Sequence, residues 1–197
     1  AEVWFDGACG EGPDGRKQEY DWDAYYRLVR ELQPQALIAI CGPDIRWVGN
    51  ESGVAREDES SVQPAPGGGW RWYPAECDVS IRPGWFYHPG QDAQVKTLEQ
   101  LLDIYYQSVG RNSVLLLNVP PDRRGLIHEN DVQRLAELGA EIERRFGKSL
   151  AEVEGRGQLV ECPLNESSVV DHVILMEDIR QGERVRAYVV EGLVGGE

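Results

Sequence analysis

Ser113-Val-Leu-Leu-Leu-Asn-Val119 is the longest apolar run in this 197-residue chain, and Pro120-Pro121 follows it directly. Its length suits a buried strand and falls far short of the roughly 20 apolar residues that a membrane-spanning helix needs. Proline cannot donate a hydrogen bond to a sheet, so the pair closes the strand just after Asn118. The run therefore predicts a buried strand over 114–117.

Further strands and helices are predicted on both sides of this run. The strands are 2–5, 36–40 and 78–81, and the helices run from the cap Asp21 to about Leu32, over 92–109, and from the cap Asp131 to Gly147. Such alternation is typical of an α/β fold with a parallel sheet. Four strands with their helices predict the second half of a (β/α)8-type barrel over residues 1–150. Because the sequence opens within a strand, we expect the first barrel half, and any signal peptide, upstream of it.

The pattern changes after Leu150. Runs at 157–161, 169–175 and 184–191 predict β-strands separated by turn residues. In the last run, Arg186, Tyr188 and Val190 alternate with apolar neighbours, as in a strand with one face buried. We predict part of a carboxyl-terminal β-sandwich domain over residues 151–197.

The charge of the chain limits its partners. Twenty Lys and Arg side chains stand against 34 Asp and Glu, a net charge of −14. Nucleic acid and anionic membrane surfaces would be repelled, so neither is expected as a partner. A neutral ligand such as a sugar is compatible with this charge, and six Trp and eight Tyr supply aromatic faces for it. No cluster of Cys, His, Asp or Glu has the spacing of metal ligands, so no metal is predicted.

Polar side chains follow the predicted strands where each strand ends. These residues are Asp6, Glu51, Arg82 and Asn118. In a parallel barrel the carboxyl ends of the strands face the active site, although Asp6 could equally cap the following turn and Glu51 could be a solvated loop residue. Two carboxylates on either side of a sugar can hydrolyse a glycosidic bond, one as nucleophile or stabiliser and one as proton donor.

Four longer motifs contain these residues. They are Glu2-Val-Trp-Phe-Asp-Gly-Ala8, Gly42-Pro-Asp-Ile-Arg-Trp-Val-Gly-Asn-Glu51, Ala75-Glu-Cys-Asp-Val-Ser-Ile-Arg-Pro-Gly-Trp-Phe-Tyr-His88 and Gly110-Arg-Asn-Ser-Val-Leu-Leu-Leu-Asn-Val-Pro-Pro-Asp-Arg-Arg-Gly125. In this order they resemble glycoside hydrolase family 29, the α-L-fucosidases. The resemblance is to the subfamily that prefers α-1,3/1,4-linked fucose.

The resemblance implies a retaining exo-α-L-fucosidase that works through a covalent glycosyl-enzyme intermediate and needs no cofactor. It implies Asp6 as the nucleophile and Glu51 as the general acid/base, with Glu76 as the alternative acid/base. The substrate-binding residues expected near the fucose ring and beside Glu51 are Trp4, Trp47, Arg82 and Trp85.

The resemblance also implies the partners of the protein. The expected substrate is a fucosylated oligosaccharide or glycan, and the missing barrel half is expected in the same or a partner chain. A secreted or periplasmic location is expected from the family. Two other hypotheses remain open: a module that binds fucose or glycans without cleaving them, and an inactive fragment that lacks the amino-terminal half of the pocket.

Overall fold

The computed structural model describes residues 1–193 and contains seven strands. They are β1 (Glu2–Phe5), β2 (Leu37–Ile40), β3 (Ile45–Trp47), β4 (Val62–Pro64), β5 (Trp70–Trp72), β6 (Ala75–Ser80) and β7 (Val114–Asn118). A parallel sheet has the spatial order β1-β2-β3-β6-β7, and β4 and β5 form a separate antiparallel hairpin. The four strands predicted before residue 150 are confirmed as β1, β2, β6 and β7, whereas the three short strands β3, β4 and β5 are not predicted from the sequence.

Three α-helices accompany the sheet: α1 (Trp22–Leu32), α2 (Leu98–Ser108) and α3 (Glu129–Phe146). The predicted cap of α1 is confirmed, because the Asp21 carboxylate accepts a hydrogen bond from the Ala24 backbone N–H at 3.0 Å. No helix among the described residues is long and apolar enough to cross a membrane.

The second and third helices begin at different residues than predicted. Residues 89–94 form a 3₁₀ segment, and a capping box between Thr97 and Gln100 sets the start of α2 at Leu98. α3 is capped by His128, so the prediction that Asp131 caps it is wrong. Asp131 lies inside the first turn, where it is fully buried and pairs with Arg82. Gly147 ends α3 as predicted.

Successive side chains of β6 point to opposite faces of the sheet. On the outer face, Val79 packs with apolar residues of the two covering helices, among them Leu101 and Leu138. On the inner face, β6 carries Glu76 and Asp78. The main apolar core therefore lies between the sheet and helices α2 and α3, and the inner face is left for polar groups.

The sheet is strongly curled. The Trp4 indole N–H donates to Glu76 Oε1 at 2.6 Å, although β1 and β6 are separated by two other strands. In a flat sheet, three strand spacings would hold these strands roughly 14 Å apart. The curl brings their inner faces together, and the α/β fold predicted from the sequence is confirmed as a parallel sheet that forms half a barrel.

A short link, residues 41–44, joins the parallel neighbours β2 and β3. Ile40 at its start has a φ of 70°, a left-handed conformation that β-branched residues rarely adopt. A Cβ added to Gly42 would collide with the backbone carbonyl of Ile38. Asp44 holds the link in place, since its carboxylate accepts from the Ile38 N–H at 2.7 Å and pairs with Arg30.

Residues 151–193 contain no strand, and their one backbone pairing is a bridge between Arg180 and Gly182. The strands predicted at 157–161, 169–175 and 184–191 are therefore not formed here, because none of these segments has a neighbour to complete its ladder of hydrogen bonds. The β-sandwich over 151–197 stays a prediction, and residues 194–197 lie outside the described residues.

One side chain docks this carboxyl-terminal segment on the helices. The His172 ring stacks on Tyr106 of α2 with centroids 5.8 Å apart, and its Nε2 lies 2.6 Å from the Tyr106 hydroxyl. The same ring meets Phe146 of α3 edge-on at 5.1 Å. The side chain of His172 therefore ties the segment to both helices.

Candidate active site

The carboxyl ends of the five parallel strands lie at one edge of the half-barrel, which is called the rim below. Asp6 directly follows β1, the loop with Glu51 follows β3, and the loop with Trp85 follows β6. Because the strands are parallel, these residues share the edge at which barrel enzymes build their sites. Both predicted catalytic carboxylates thus follow strands that end at the rim.

Asp6 is exposed and takes part in a local turn. Its Oδ1 accepts a hydrogen bond from the Ala8 backbone N–H at 2.8 Å. Among residues 1–193, its other carboxylate oxygen, Oδ2, has no hydrogen-bond partner. The two interpretations from the sequence are therefore compatible, since Asp6 fixes a turn with one oxygen and presents the other at the rim.

Glu51 lies at the tip of a loop that is held at both sides. The Asn50 side chain accepts from the Ser52 N–H at 3.0 Å and donates to the Val54 carbonyl at 2.9 Å. Gly53 has a φ of 76° and leaves no room for a Cβ, which would lie 2.7 Å from Val79. The tight loop keeps the exposed Glu51 carboxylate in a defined position.

Trp85 is the contact of Glu51 across the rim. Its indole N–H donates to Glu51 Oε2 at 3.2 Å. The Trp85 loop is fixed in turn by Asn118, whose amide donates to the Trp85 carbonyl at 3.0 Å and to Ser80 Oγ at 3.1 Å. The structure therefore brings together Glu51 and Trp85, and it gives the strand-end residue Asn118 a supporting role.

Two further indoles donate to carboxylates on the inner face of β6. Trp4 donates to Glu76 at 2.6 Å, and Trp47 donates to Asp78 at 2.7 Å. We call these contacts the indole–carboxylate pairs. Both carboxylates are buried, at 0% and 4% exposure, whereas the two indoles are 38% and 44% exposed. The N–H of each indole is thus occupied while part of its ring surface stays open.

Burial changes the ionisation of both β6 carboxyls. It raises the pKa of Glu76 from 4.5 to about 7, with smaller contributions from Glu2 and Asp78, and the hydrogen bond from Trp4 opposes this rise. The pKa of Asp78 is also raised, by burial and by the nearby Glu51 charge, against the hydrogen bond from Trp47. Glu76 therefore keeps its proton closer to neutral pH than an ordinary glutamate does.

Glu76 and Glu51 differ in the properties that an acid/base needs. Glu76 has a raised pKa, which suits a general acid, but its side chain has no exposed surface. Glu51 is exposed at the rim, where a glycosidic oxygen could reach it. The geometry favours Glu51 on access, and the alternative Glu76 stays a prediction.

Arg82 lies in a buried ion-pair network away from the open surface. Its guanidinium donates to Asp131 through Nε at 2.9 Å and through Nη2 at 2.7 Å, and to Asp92 through Nη1 at 2.8 Å. The side chain has no exposed surface. The substrate-binding role of Arg82 stays a prediction, and its burial and ion pairs favour a structural role in tying the Trp85 loop to α3.

Asp78 contacts Trp47 on the inner face, although it is not among the site residues predicted from the sequence. The signal was present, because residues 76, 78 and 80 are polar and alternate with Cys77 and Val79. A period of two in a strand places one set on each face. No hydrogen bond or ion pair joins Asp6 to Glu51 among residues 1–193, so the rim holds the two predicted catalytic carboxylates as separate groups.

No three His, Cys, Asp or Glu side chains within residues 1–193 are grouped so that they could hold a metal ion. Three acids instead have indole neighbours: Glu51 at the rim contacts Trp85, and the two acids on the inner face of β6 contact Trp4 and Trp47. Carboxylates and indoles on the inner face and at the carboxyl edge of a parallel half-barrel fit the glycoside hydrolases of the α/β-barrel class.

Comparison with known proteins identifies the family. Residues 1–145 match the family model described as alpha-L-fucosidase, and the chain belongs to this family. The chain is 44% identical over 167 residues to alpha-L-fucosidase 1 of Arabidopsis thaliana, an alignment that covers 76% of this chain and 32% of the plant protein.

Solved structures share this fold. A candidate α-L-fucosidase from Bacteroides ovatus is 50% identical with a TM-score of 0.70, over 77% of this chain and 31% of that one. A glycoside hydrolase family 29 fucosidase from Ruminococcus gnavus, solved in complex with fucose, is 30% identical with a TM-score of 0.66, over 78% and 35% of the two chains. The chain spans about a third of the length of these relatives.

Proposed function

We propose that this chain is part of a retaining exo-α-L-fucosidase that releases fucose from α-1,3/1,4-fucosylated glycans. The observation that carries the proposal is the presence of two exposed carboxylates, Asp6 and Glu51, after strands of one parallel half-barrel in a chain of the α-L-fucosidase family. The Ruminococcus gnavus relative that binds fucose supports the choice of sugar.

In this proposal, Asp6 attacks the anomeric carbon of fucose while Glu51 gives its proton to the departing glycosidic oxygen. The C–O bond to the leaving group breaks, and a covalent fucosyl ester forms on Asp6. Glu51, now ionised, removes a proton from a water that attacks the same carbon and frees Asp6. Retention requires the two carboxyl groups to stand about 5–5.5 Å apart across the bound sugar.

The indoles of Trp4, Trp47 and Trp85 provide apolar surface for the sugar. Each donates its N–H to a carboxylate, so its ring faces are what remains for contact with C–H groups and with the C6 methyl of fucose. Arg82 is left out of this set because it is buried. Since the relatives extend well beyond the matched region, we propose that residues outside this chain, in the same or a partner chain, complete the pocket.

The first test is fucose release by the natural full-length protein that contains these residues. We expect Asp6→Ala to lower kcat at least about 10³-fold while the circular dichroism spectrum stays unchanged, because the residual rate after loss of a nucleophile comes from binding and electrostatics alone. Retained turnover in Asp6→Ala would contradict the proposal. Glycan binding without turnover by the unmodified protein would favour the binding-module hypothesis instead.

The acid/base can be identified by comparing two leaving groups. A general acid contributes about 10²–10⁴-fold, and mainly for poor leaving groups. We therefore expect Glu51→Ala to lose far more activity on a fucosylated oligosaccharide than on a nitrophenyl fucoside, and Glu76→Gln to lose the same fraction on both. The reverse pattern would assign the acid/base role to Glu76. Proton NMR of the first anomer released tests retention.

A further inference from the structure

In each of the two indole–carboxylate pairs, the Trp lies a few positions before one of the two proposed catalytic carboxylates. Trp4 stands two positions before Asp6 on β1, and Trp47 stands four positions before Glu51 at the end of β3. Both indoles donate to neighbouring inner-face carboxylates of the single strand β6. Strand β6 thus fixes, through hydrogen bonds, the two Trp residues that precede the proposed catalytic carboxylates.

The burial of these carboxylates is poorly explained by stability alone. Glu76 is fully buried, its Oε1 accepts from Trp4, and its Oε2 meets no hydrogen-bond donor among residues 1–193, while the neighbouring Glu2 carboxyl favours the protonated form of Glu76. A buried carboxylate with an unmade hydrogen bond lowers stability, and an apolar side chain of similar size would serve packing better. The helices pack on the opposite face of β6, so helix packing does not require these acids.

We propose that Glu76 and Asp78 are positioning residues, which hold the indoles of Trp4 and Trp47 and thereby fix the strand ends that present Asp6 and Glu51 to the sugar. This inference rests on the proposed fucosidase function. It gives Glu76 a role that needs no access to substrate, and it includes Asp78, to which the sequence analysis assigned no role.

Asp78 has a second connection to the site. The Glu51 charge is close enough to raise the pKa of Asp78, so the two groups repel when both are ionised. The other titratable groups that act on the β6 carboxyls are Glu2 and Glu76.

Conservative variants of the indoles give the main test. Trp4→Phe and Trp47→Phe keep an aromatic ring and remove only the N–H donor. We expect each to lower kcat about 10–100-fold with little change in KM, since misplacement of a reacting group by about 1 Å can cost 10²-fold. Trp72→Phe on β5 is the matched control, because this indole is exposed and makes no hydrogen bond among the described residues. We expect its kcat to stay within about twofold of the unmodified protein, as for surface substitutions in general.

Double variants test whether each pair acts as a unit. The combination Trp47→Phe with Asp78→Ala should lose little more than the worse single variant, since residues that share one hydrogen bond are not additive. Asp78→Asn, which keeps an acceptor oxygen, should recover part of the activity that Asp78→Ala loses. Fully additive losses, or equal losses in the Asn and Ala variants, would overturn the positioning role.

A readout without turnover separates this inference from the function itself. In the unmodified protein, the indole N–H protons of Trp4 and Trp47 should exchange slowly with solvent in NMR spectra, and Glu76→Ala should speed exchange at Trp4 only. Rapid exchange at both indoles overturns the inference whether or not the protein is active. If the protein releases fucose in an Asp6-dependent way while both Phe variants keep full kcat, only the positioning inference fails. If it releases no fucose, the proposed function fails first.

Discussion

Arg82 and Glu51 show how far single residues could be predicted from the sequence. Both follow strands, and this position alone places them near the rim. The sequence could not show that Arg82 turns inward, because its partner Asp131 comes from the first turn of α3, far along the chain. The Trp4–Glu76 contact was equally hidden, since 72 positions separate its residues. Local position could be predicted, whereas partners depend on how the sheet curls.

The Arg82–Asp131 ion pair leads to a stability prediction. Asp131→Ala leaves the buried guanidinium with Asp92 as its one remaining carboxylate partner, so we expect the free energy of unfolding to fall by about 3–5 kcal/mol. Urea unfolding followed by circular dichroism measures the change. The control is Asp58→Ala, an 89% exposed acid whose loss should cost less than about 0.5 kcal/mol. Equal effects in the two variants would contradict the structural role of the network.

Glu76 predicts a pH dependence of stability. Its pKa rises from 4.5 to about 7 in the folded protein, so between these values the unfolded chain releases the proton while the folded chain keeps it. The free energy of unfolding should therefore fall as pH rises from 4.5 to about 7. Glu76→Gln, a neutral mimic of the protonated acid, should flatten this decline. Urea midpoints of both proteins at several pH values provide the check, and an unchanged slope would show that Glu76 titrates normally.

At the scale of elements, periodicity predicted the longer strands and the helices but missed the three-residue strands β3, β4 and β5. β3 has only Ile45–Trp47 and follows a Gly-Pro pair, which indicates a turn when the sequence is considered alone. It is a strand because β2 and β6 pair with it on both sides. Helix α2 likewise begins where Thr97 and Gln100 form a capping box, although the apolar periodicity that includes Val95 continues upstream of it.

Two glycines, one in the link between β2 and β3 and one in α3, should respond in opposite ways to replacement by alanine. Gly42→Ala should destabilise the protein by about 1–3 kcal/mol, because the new Cβ meets the Ile38 backbone and neither can move easily. Gly139→Ala, at an open and exposed position within α3, should stabilise it by about 0.5–1 kcal/mol. Thermal unfolding of both variants measures the difference. A neutral Gly42→Ala would mean that the link relaxes more freely than its geometry indicates.

At the scale of the whole molecule, the half-barrel and the carboxyl-terminal segment differ in how they are held. The half-barrel has a ladder of strand pairs and an apolar core, whereas residues 151–193 expose apolar side chains such as Val169 and Met176, at 92% and 90%. The sequence pattern in this segment suits strands, but a strand needs a paired neighbour, and periodicity does not reveal whether one is present.

This contrast predicts the order of proteolysis. Trypsin should cleave after Arg156 and Arg186 well before any site within the strands and helices of residues 1–150, because exposed backbone without hydrogen bonds fits a protease most easily. His172→Ala removes the contact with Tyr106 and Phe146 and should speed this early cleavage severalfold. Mass spectrometry of a time course identifies the sites. His128→Ala, in a helix cap, is the comparison and should leave the early cuts unchanged.

The alternation along β6 has a consequence for how such a protein can diversify. The outward residues of β6 pack against the helices behind the sheet, and its inward residues contact the groups on the inner face of the half-barrel. Because the two sets of side chains lie on opposite faces of the sheet, substitutions in one set need no compensating substitutions in the other. Inner-face residues can therefore change, and with them the substrate preference, while the packing between sheet and helices is kept. This is one reason why a single fold can host many chemistries.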